Sequence, residues 1–357
     1  MADVSRARRA VGWMARLLVI GGLGGAYALL GATPAGASPC DVATITWDGG
    51  AGTTAWTTAA NWTGDRLPGA DDHVCIPAGT GTVSQSGTTS IQSIEARKPF
   101  TITGTLSLTS VTVDSWMTGG SIGGTLNGPG LLQLDGIVSW TGGEMKSLGV
   151  TRVLPGAQLN ITAQRCCSNR PIGSNYTLIV DGTLSIAGGE GLNVGENFQI
   201  RNNGRIEWTP TYYSEILDVS AATAVKPSIV NNGTIVKTSG DNRAIGIPLW
   251  NQAGGVVRSE VGTLTLSAGS GGNSSSGTFG PGLVLSGTNT LSGATFTGTG
   301  NEIYGTYTLP AGSTTTLAPG STTTLSATVN GPGKLAVGGT LTWTGGPMQN
   351  GGTTEVA

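Results

Sequence analysis

A parallel β-helix, in which each coil restacks the same short strands on the last, is the fold this sequence predicts. Three observations predict it. The first is a recurring phrase: Gly104-Thr105-Leu106-Ser107-Leu108, Gly124-Thr125-Leu126, Gly182-Thr183-Leu184-Ser185-Ile186, Gly262-Thr263-Leu264-Thr265-Leu266 and Gly339-Thr340-Leu341-Thr342-Trp343. A turn glycine followed by alternating inward and outward residues is one strand. The four fullest copies begin 78, 80 and 77 residues apart, and the first two begin 20 apart. Return at a near-constant interval means a coiling chain. The second observation is a longer repeat. Asn127–Val153 aligns without a gap on Asn330–Val356, with 14 of 27 positions identical, including Trp140/Trp343, Gly142-Gly143/Gly345-Gly346 and Met145/Met348. Its offset of 203 is close to ten steps of 20.

The third observation is composition. Gly is 61 of 357 residues, and charged residues are only 11% against a usual share of about 25%. Gly, Thr, Ser, Val, Leu and Asn belong to short strands and tight turns rather than to exposed helices. A net charge of −2 gives no electrostatic reason to expect nucleic acid or an anionic membrane as partner.

The N-terminus reads as an export signal, residues 1–37. Arg6, Arg8, Arg9 and Arg16 form a basic stretch, Leu17–Leu30 is apolar, and Ala35-Gly36-Ala37 is a small-residue cleavage site. A membrane anchor is the competing reading, but the uninterrupted apolar run is short for a span. The mature chain is therefore expected outside the cytoplasm, secreted or at the cell surface, with no insertion in the membrane after cleavage. Cysteine use agrees, since Cys40, Cys75, Cys166 and Cys167 all fall in the exported part. Four cysteines allow three pairings. Cys40–Cys75 is the expected one, leaving Cys166-Cys167 as a vicinal pair or two free thiols. Arg165 and Arg170 suit a lowered thiol pKa there, while a stapled loop between strands is the simpler reading.

Along the mature chain, residues 38–98 form a Trp-rich N-terminal segment with Trp47-Asp48-Gly49-Gly50, Trp56, Asn61-Trp62 and Asp71-Asp72. Its tryptophans are expected to cap the first coil, a sugar-stacking platform being the alternative. Residues 99–357 then alternate short strands with Gly, Asn-Gly or Pro-Gly turns. Asn202-Asn203-Gly204 is echoed by Asn231-Asn232-Gly233 and more loosely by Asn251-Gln252. An array of antiparallel β-sandwiches is the alternative architecture. The second copy of the long repeat stops at Ala357, where the first runs on, so a continuation of the same chain beyond Ala357 is expected.

The pattern Trp47-Asp-Gly-Gly, Trp56, Asn61-Trp62, Pro68 and Asp72, followed by Trp-Thr-Gly-Gly-x-Met and Asn-x-Gly-Thr repeats, resembles secreted bacterial β-helix proteins of the autotransporter and adhesin-like type. The resemblance covers nearly all of the mature chain. It implies a right-handed parallel β-helix at a cell surface or in the medium, and it brings no catalytic residue.

Few residues suggest chemistry. His73 is the single histidine and stands beside Asp71 and Asp72; an acidic turn in the cap is the reading preferred to a catalytic His-Asp pair. The resemblance to pectin-degrading β-helix hydrolases fails at their clustered Asp, His-Gly and Arg-x-Lys motifs, none of which occurs. Gly188–Asn193 partly matches a calcium-binding nonapeptide but occurs once. Asp114, Asp135, Glu144 and Glu207 are scattered acids. The Thr runs at 314–316 and 322–324 are too few for an ice-binding array. Trp208, Tyr212 and Tyr213 cluster near Thr209-Pro210 as candidate surface-binding aromatics. No cofactor and no metal are expected. The sequence thus points to a non-enzymatic extracellular adhesin or structural scaffold, with glycans or cell-surface proteins as partners. A polysaccharide-active β-helix enzyme or a carbohydrate-binding module is the alternative.

Overall fold

The computed structural model of the protein describes residues 38–162, 170–172, 175–188, 192–210, 215–221 and 224–357. These residues are all-β, apart from a single 3-10 turn at Ala59–Asn61, and form a parallel β-helix of about 13 turns. The strands among them pair in parallel, which excludes stacked antiparallel sandwiches; an isolated Trp47–Trp62 bridge is antiparallel. The expected signal segment, residues 1–37, lies outside the described residues.

Each coil has three faces, visited in a fixed order. In one coil His73–Ile76 lies on the first face, Val83–Gln85 on the second and Thr88–Ile91 on the third. The next coil places Ser93–Ala96, Phe100–Ile102 and Thr105–Leu108 on them in register. Alternation explains the pattern, because successive side chains point to opposite sides of a strand. In Gln158–Ile161, Leu159 and Ile161 point inward and are buried, while Gln158 and Asn160 point outward. Stacked inward Ile, Leu and Val form one continuous core along the axis, each fully buried side chain contributing about 1.5–3 kcal/mol.

The rung length varies. Thr101 and Ser121, hydrogen-bonded neighbours on consecutive coils, are 20 residues apart, whereas Asn202 and Asn231 are 29 apart. The extra residues are insertions at coil corners, which a solenoid tolerates because the stacked strands keep their register.

The long repeat maps onto this prism with a twist. From residues 137–140 the second-face column climbs through Gln158–Ile161, Thr183, Arg205, Thr234, Val256, Thr278, Thr295 and Thr314–Leu317 to Lys334–Val337 in nine steps. The sequence repeat, however, aligns Lys334–Val337 with residues 131–134, which lie on the first face. The two copies are therefore separated by nine coils and one face, not by ten coils. The Gly-Thr-Leu phrase also changes face: the copies at 104, 124, 262 and 339 precede third-face strands, but Thr183–Gly188 lies on the second. It marks a strand start common to the faces rather than one position. Gly143 and its repeat mate Gly346 show what the corner demands. Both have positive φ (70° and 83°), and a Cβ there would sit 1.8 Å from the Gly124 carbonyl oxygen or 2.0 Å from that of Ala327.

Polar ladders run beside the apolar core. Asn202, Asn231 and Asn251 point inward and are fully buried. Asn202 Nδ2 donates to Asn231 Oδ1 at 2.6 Å, and Asn231 Nδ2 to Asn251 Oδ1 at 2.8 Å. Each amide also donates to a main-chain carbonyl of the following coil, at Thr234, Val256 and Thr278. The ladder satisfies every one of these buried amide donors it engages, while Asn202 Oδ1, at its lower end, is left without a partner.

The Trp-rich segment closes the N-terminal end of the core. Trp47 meets Trp62 edge-on at 5.0 Å, Trp62 meets Trp56 at 4.6 Å, and Trp56 packs on Phe100 at 5.7 Å. All three tryptophans are buried, and Trp62 Nε1 donates to the Trp56 carbonyl. They are a plug, not a sugar platform. Parallel pairing already begins within this segment, at Ile45–Thr46 against residues 74–75. The expected Cys40–Cys75 disulfide is formed. Closing its 35-residue separation stabilises by about 4 kcal/mol in the chain-entropy description.

Candidate functional site

A groove opens at the corner where the third face turns into the first. Its volume is about 620 Å³, within the range of small-ligand clefts. The chain reaches this corner once per coil, immediately before each first-face strand. Leu148, Asn175 and Asn197 occupy it on three consecutive coils, all with left-handed φ of 64°, 57° and 52°. Main-chain bonds connect them: Leu148 N donates to the Asn175 carbonyl at 2.7 Å, and Asn197 N to that of Val225 at 2.7 Å. Asn adopts this conformation readily, and its side chains form a short amide ladder here, Asn197 Nδ2 to Asn175 Oδ1 at 2.9 Å. Leu148 has no such excuse. It is a bulky residue in a strained conformation with its side chain 69% exposed, the kind of outlier that marks functional surfaces.

The groove wall is the outward side of the first face. One outward column there reads Arg152, Ile179, Arg201, Val230 and Trp250 on successive coils. Arg201 and Trp250 line the groove and stand two rungs apart, about 10 Å at the usual strand spacing. Arg152, lower in the column, is bonded to Asp181 at 2.5 Å. Arg201 instead has apolar column neighbours, and its Nε donates to the neutral Gln199 Oε1. Trp250 Nε1 has no hydrogen-bond partner, in contrast to Trp62, Trp140 and Trp343, whose indoles all donate. Lys226, also on the rim, pairs with Asp218 at 3.0 Å. Burial alone would raise the Asp218 carboxyl, but hydrogen bonds from Ser220 and Lys226 outweigh it and hold it below the ordinary range. Among the described residues no Asp or Glu lines the groove.

The residues singled out from sequence fall elsewhere. Trp208 is not a surface aromatic: it is 1% exposed, because it takes an inward position in Arg205–Pro210. Tyr212, Tyr213, Cys166 and Cys167 lie outside the described residues, as do residues 189–191 of the calcium-like Gly188–Asn193 segment. Asp72 and His73 are neighbours with separate partners. Asp72 accepts from Thr44 and twice from Arg66, while His73 Nδ1 bonds Ser93 Oγ at 2.8 Å. The hydrogen bond from Arg66 is the main reason the Asp72 carboxyl stays far below its ordinary value. The scattered acids do not converge either. Asp114 is buried and accepts from Gln133, Glu144 pairs with Lys146, and Glu207 pairs with Arg205. Among the described residues no group of three or more His, Cys, Asp or Glu is placed to hold a metal ion, and no helix is long and apolar enough to cross a membrane.

Sequence reading missed the groove because its residues come from six coils. Gln199-Ile200-Arg201-Asn202 is an ordinary alternating strand in isolation, and only the register puts Trp250 above it. No family model, no curated protein and no solved structure matches this chain.

Proposed function

We propose that this protein is an exported, non-catalytic β-helix that works as an adhesin or structural scaffold and makes its contacts through its sides. The observation that carries the reading is how outward charge is used. Arg97 bonds Glu95, Lys146 bonds Glu144, Arg205 bonds Glu207 and Arg258 bonds Glu260. The members of each pair are two residues apart in sequence; Arg205 and Glu207 share one strand, and of the four acids Glu95 is the buried one. A general acid needs a raised pKa. Among the described carboxyls with displaced values, Asp72, Glu95 and Asp218 all move down. The remaining outward positions are largely Thr, Ser, Asn and Gln, which suit a long, neutral, hydrogen-bonding surface. The disulfide agrees with an oxidising compartment outside the cytoplasm.

Adhesion of the purified chain to a panel of immobilised glycans and cell-surface proteins, with parallel product analysis, tests this reading. Retention on some members with no product is the expected outcome. Turnover of any polysaccharide contradicts it.

A further inference from the structure

We propose that the corner groove binds a linear acidic polysaccharide lying along the coil axis, with a carboxylate on Arg201 and a sugar ring against Trp250. This rests on the adhesin reading above and names the ligand class for one surface.

Shape comes first. The groove crosses coils rather than following one, from Leu148 past Asn175 and Asn197 to Trp250 and Gly271. Rungs repeat about every 4.8 Å, and an extended pyranose chain advances by roughly one rung per sugar, so equivalent groups on successive coils meet equivalent groups on successive sugars. Charge comes second. Arg201 and Lys226 line the groove and, among the described residues, no carboxylate does. Lys226 is satisfied by Asp218. Arg201 is not: its one bond is to a neutral amide, so the fork of its guanidinium is available to an incoming carboxylate. The arginines at 97, 152, 205 and 258 have acids of their own; Arg243 bonds only a main-chain carbonyl and lies away from the groove, which leaves Arg201 as the groove's arginine without an acid. Third, Trp250 stands in the same outward column, its indole nitrogen buried and its ring lining the groove. A half-buried indole offers a flat apolar surface for the C–H side of a sugar. Asn175, Asn197 and Gln199 supply amides for hydroxyls.

The test uses the full secreted protein. A 1,4-linked galacturonate hexasaccharide, its carboxyl-reduced neutral counterpart and a hexaglutamate peptide are titrated by calorimetry. The acidic sugar is expected to bind at least tenfold more tightly than either comparator. Arg201→Gln and Trp250→Ala each weaken it at least tenfold, Arg201→Lys recovers part of the loss, and Arg205→Gln on the next face changes nothing. Melting curves of every variant are recorded alongside, and the wild-type comparison of the three ligands stands without any variant. Equal binding of the neutral sugar, equal binding of the peptide, absence of uronate binding or an unaffected Arg201→Gln each overturns the assignment. Cleavage of the hexasaccharide supports the groove and overturns the non-catalytic reading. Adhesion to other surfaces without uronate binding overturns the groove alone.

Discussion

Trp140 and Trp343 make the same indole hydrogen bond on different faces of the coil. Trp140 Nε1 donates to the Gly142 carbonyl at 2.7 Å and Trp343 Nε1 to that of Gly345 at 2.8 Å. Trp140 belongs to the second face and Trp343 to the third. The local device of strand, Trp, Gly-Gly corner is thus portable between faces, which is how a sequence repeat of nine coils and one face is accommodated. Exposure separates the two. Trp140 is fully buried under the following rung, whereas Trp343 is 43% exposed on a strand paired on one side only.

Replacing each by alanine should therefore cost unequal amounts. Trp140→Ala removes a fully packed ring and should destabilise by about 3–5 kcal/mol. Trp343→Ala should cost less than half as much. Chemical denaturation of both variants measures the difference, and equal losses contradict the assignment of the two positions.

The asparagine ladder makes a second contrast. Asn231→Ala leaves Asn202 Nδ2 and Asn251 Oδ1 without their buried partners, at a cost of roughly 2–4 kcal/mol. Asn232, adjacent in sequence, donates to Asn203 Oδ1 on the exposed side at 3.0 Å, and its alanine variant should lose less than about 0.5 kcal/mol. Denaturation midpoints report both.

Acid should loosen the N-terminal plug. Burial by itself would raise the Glu95 carboxyl, but bonds from Arg97, Ser38 and the Cys40 amide leave it lowered. Asp72 is lowered chiefly by Arg66. Both groups titrate lower folded than unfolded, so their stabilisation is complete above the unfolded carboxyl pKa near 4 and is lost as pH falls through the folded values. Tryptophan fluorescence from Trp47, Trp56 and Trp62 should hold until well below pH ~4. Arg66→Gln should move the acid midpoint upward. An unchanged midpoint in that variant sinks the argument.

Leu148 tests the strain at the groove. Its left-handed backbone costs a leucine roughly 1 kcal/mol or more, a cost that asparagine largely avoids. Leu148→Asn should raise stability by about that amount while removing an apolar rim residue. A destabilised variant contradicts the reading of Leu148 as strained.

Much of this fold was legible in the chain itself. Leu-x-Leu alternation after turn glycines identified the strands, and the echo of Asn202, Asn231 and Asn251 marked what proves to be a buried ladder. The prism was not legible. Residues 131–134 and 334–337 read alike because their neighbours in sequence are alike, yet the face a strand occupies depends on every insertion in the coils between. The same accumulation hid the groove, since Arg201 and Trp250 are brought together by register alone. Trp208 was misjudged for a related reason: its loop-like neighbours outweighed the alternation of Arg205-Ile206-Glu207-Trp208, which turns it inward.

A single distance tests the solenoid most directly. Ile137 and Ala336 stand nine rungs apart in the second-face column, and both point outward. Spin labels at Ile137→Cys and Ala336→Cys, in a Cys166→Ser, Cys167→Ser background, are read by pulsed electron resonance. Nine rungs correspond to about 43 Å at the usual strand spacing, and the account predicts a narrow distribution centred near that value. A broad distribution, or a centre below about 30 Å on the same spacing argument, would contradict a continuous parallel β-helix between these positions.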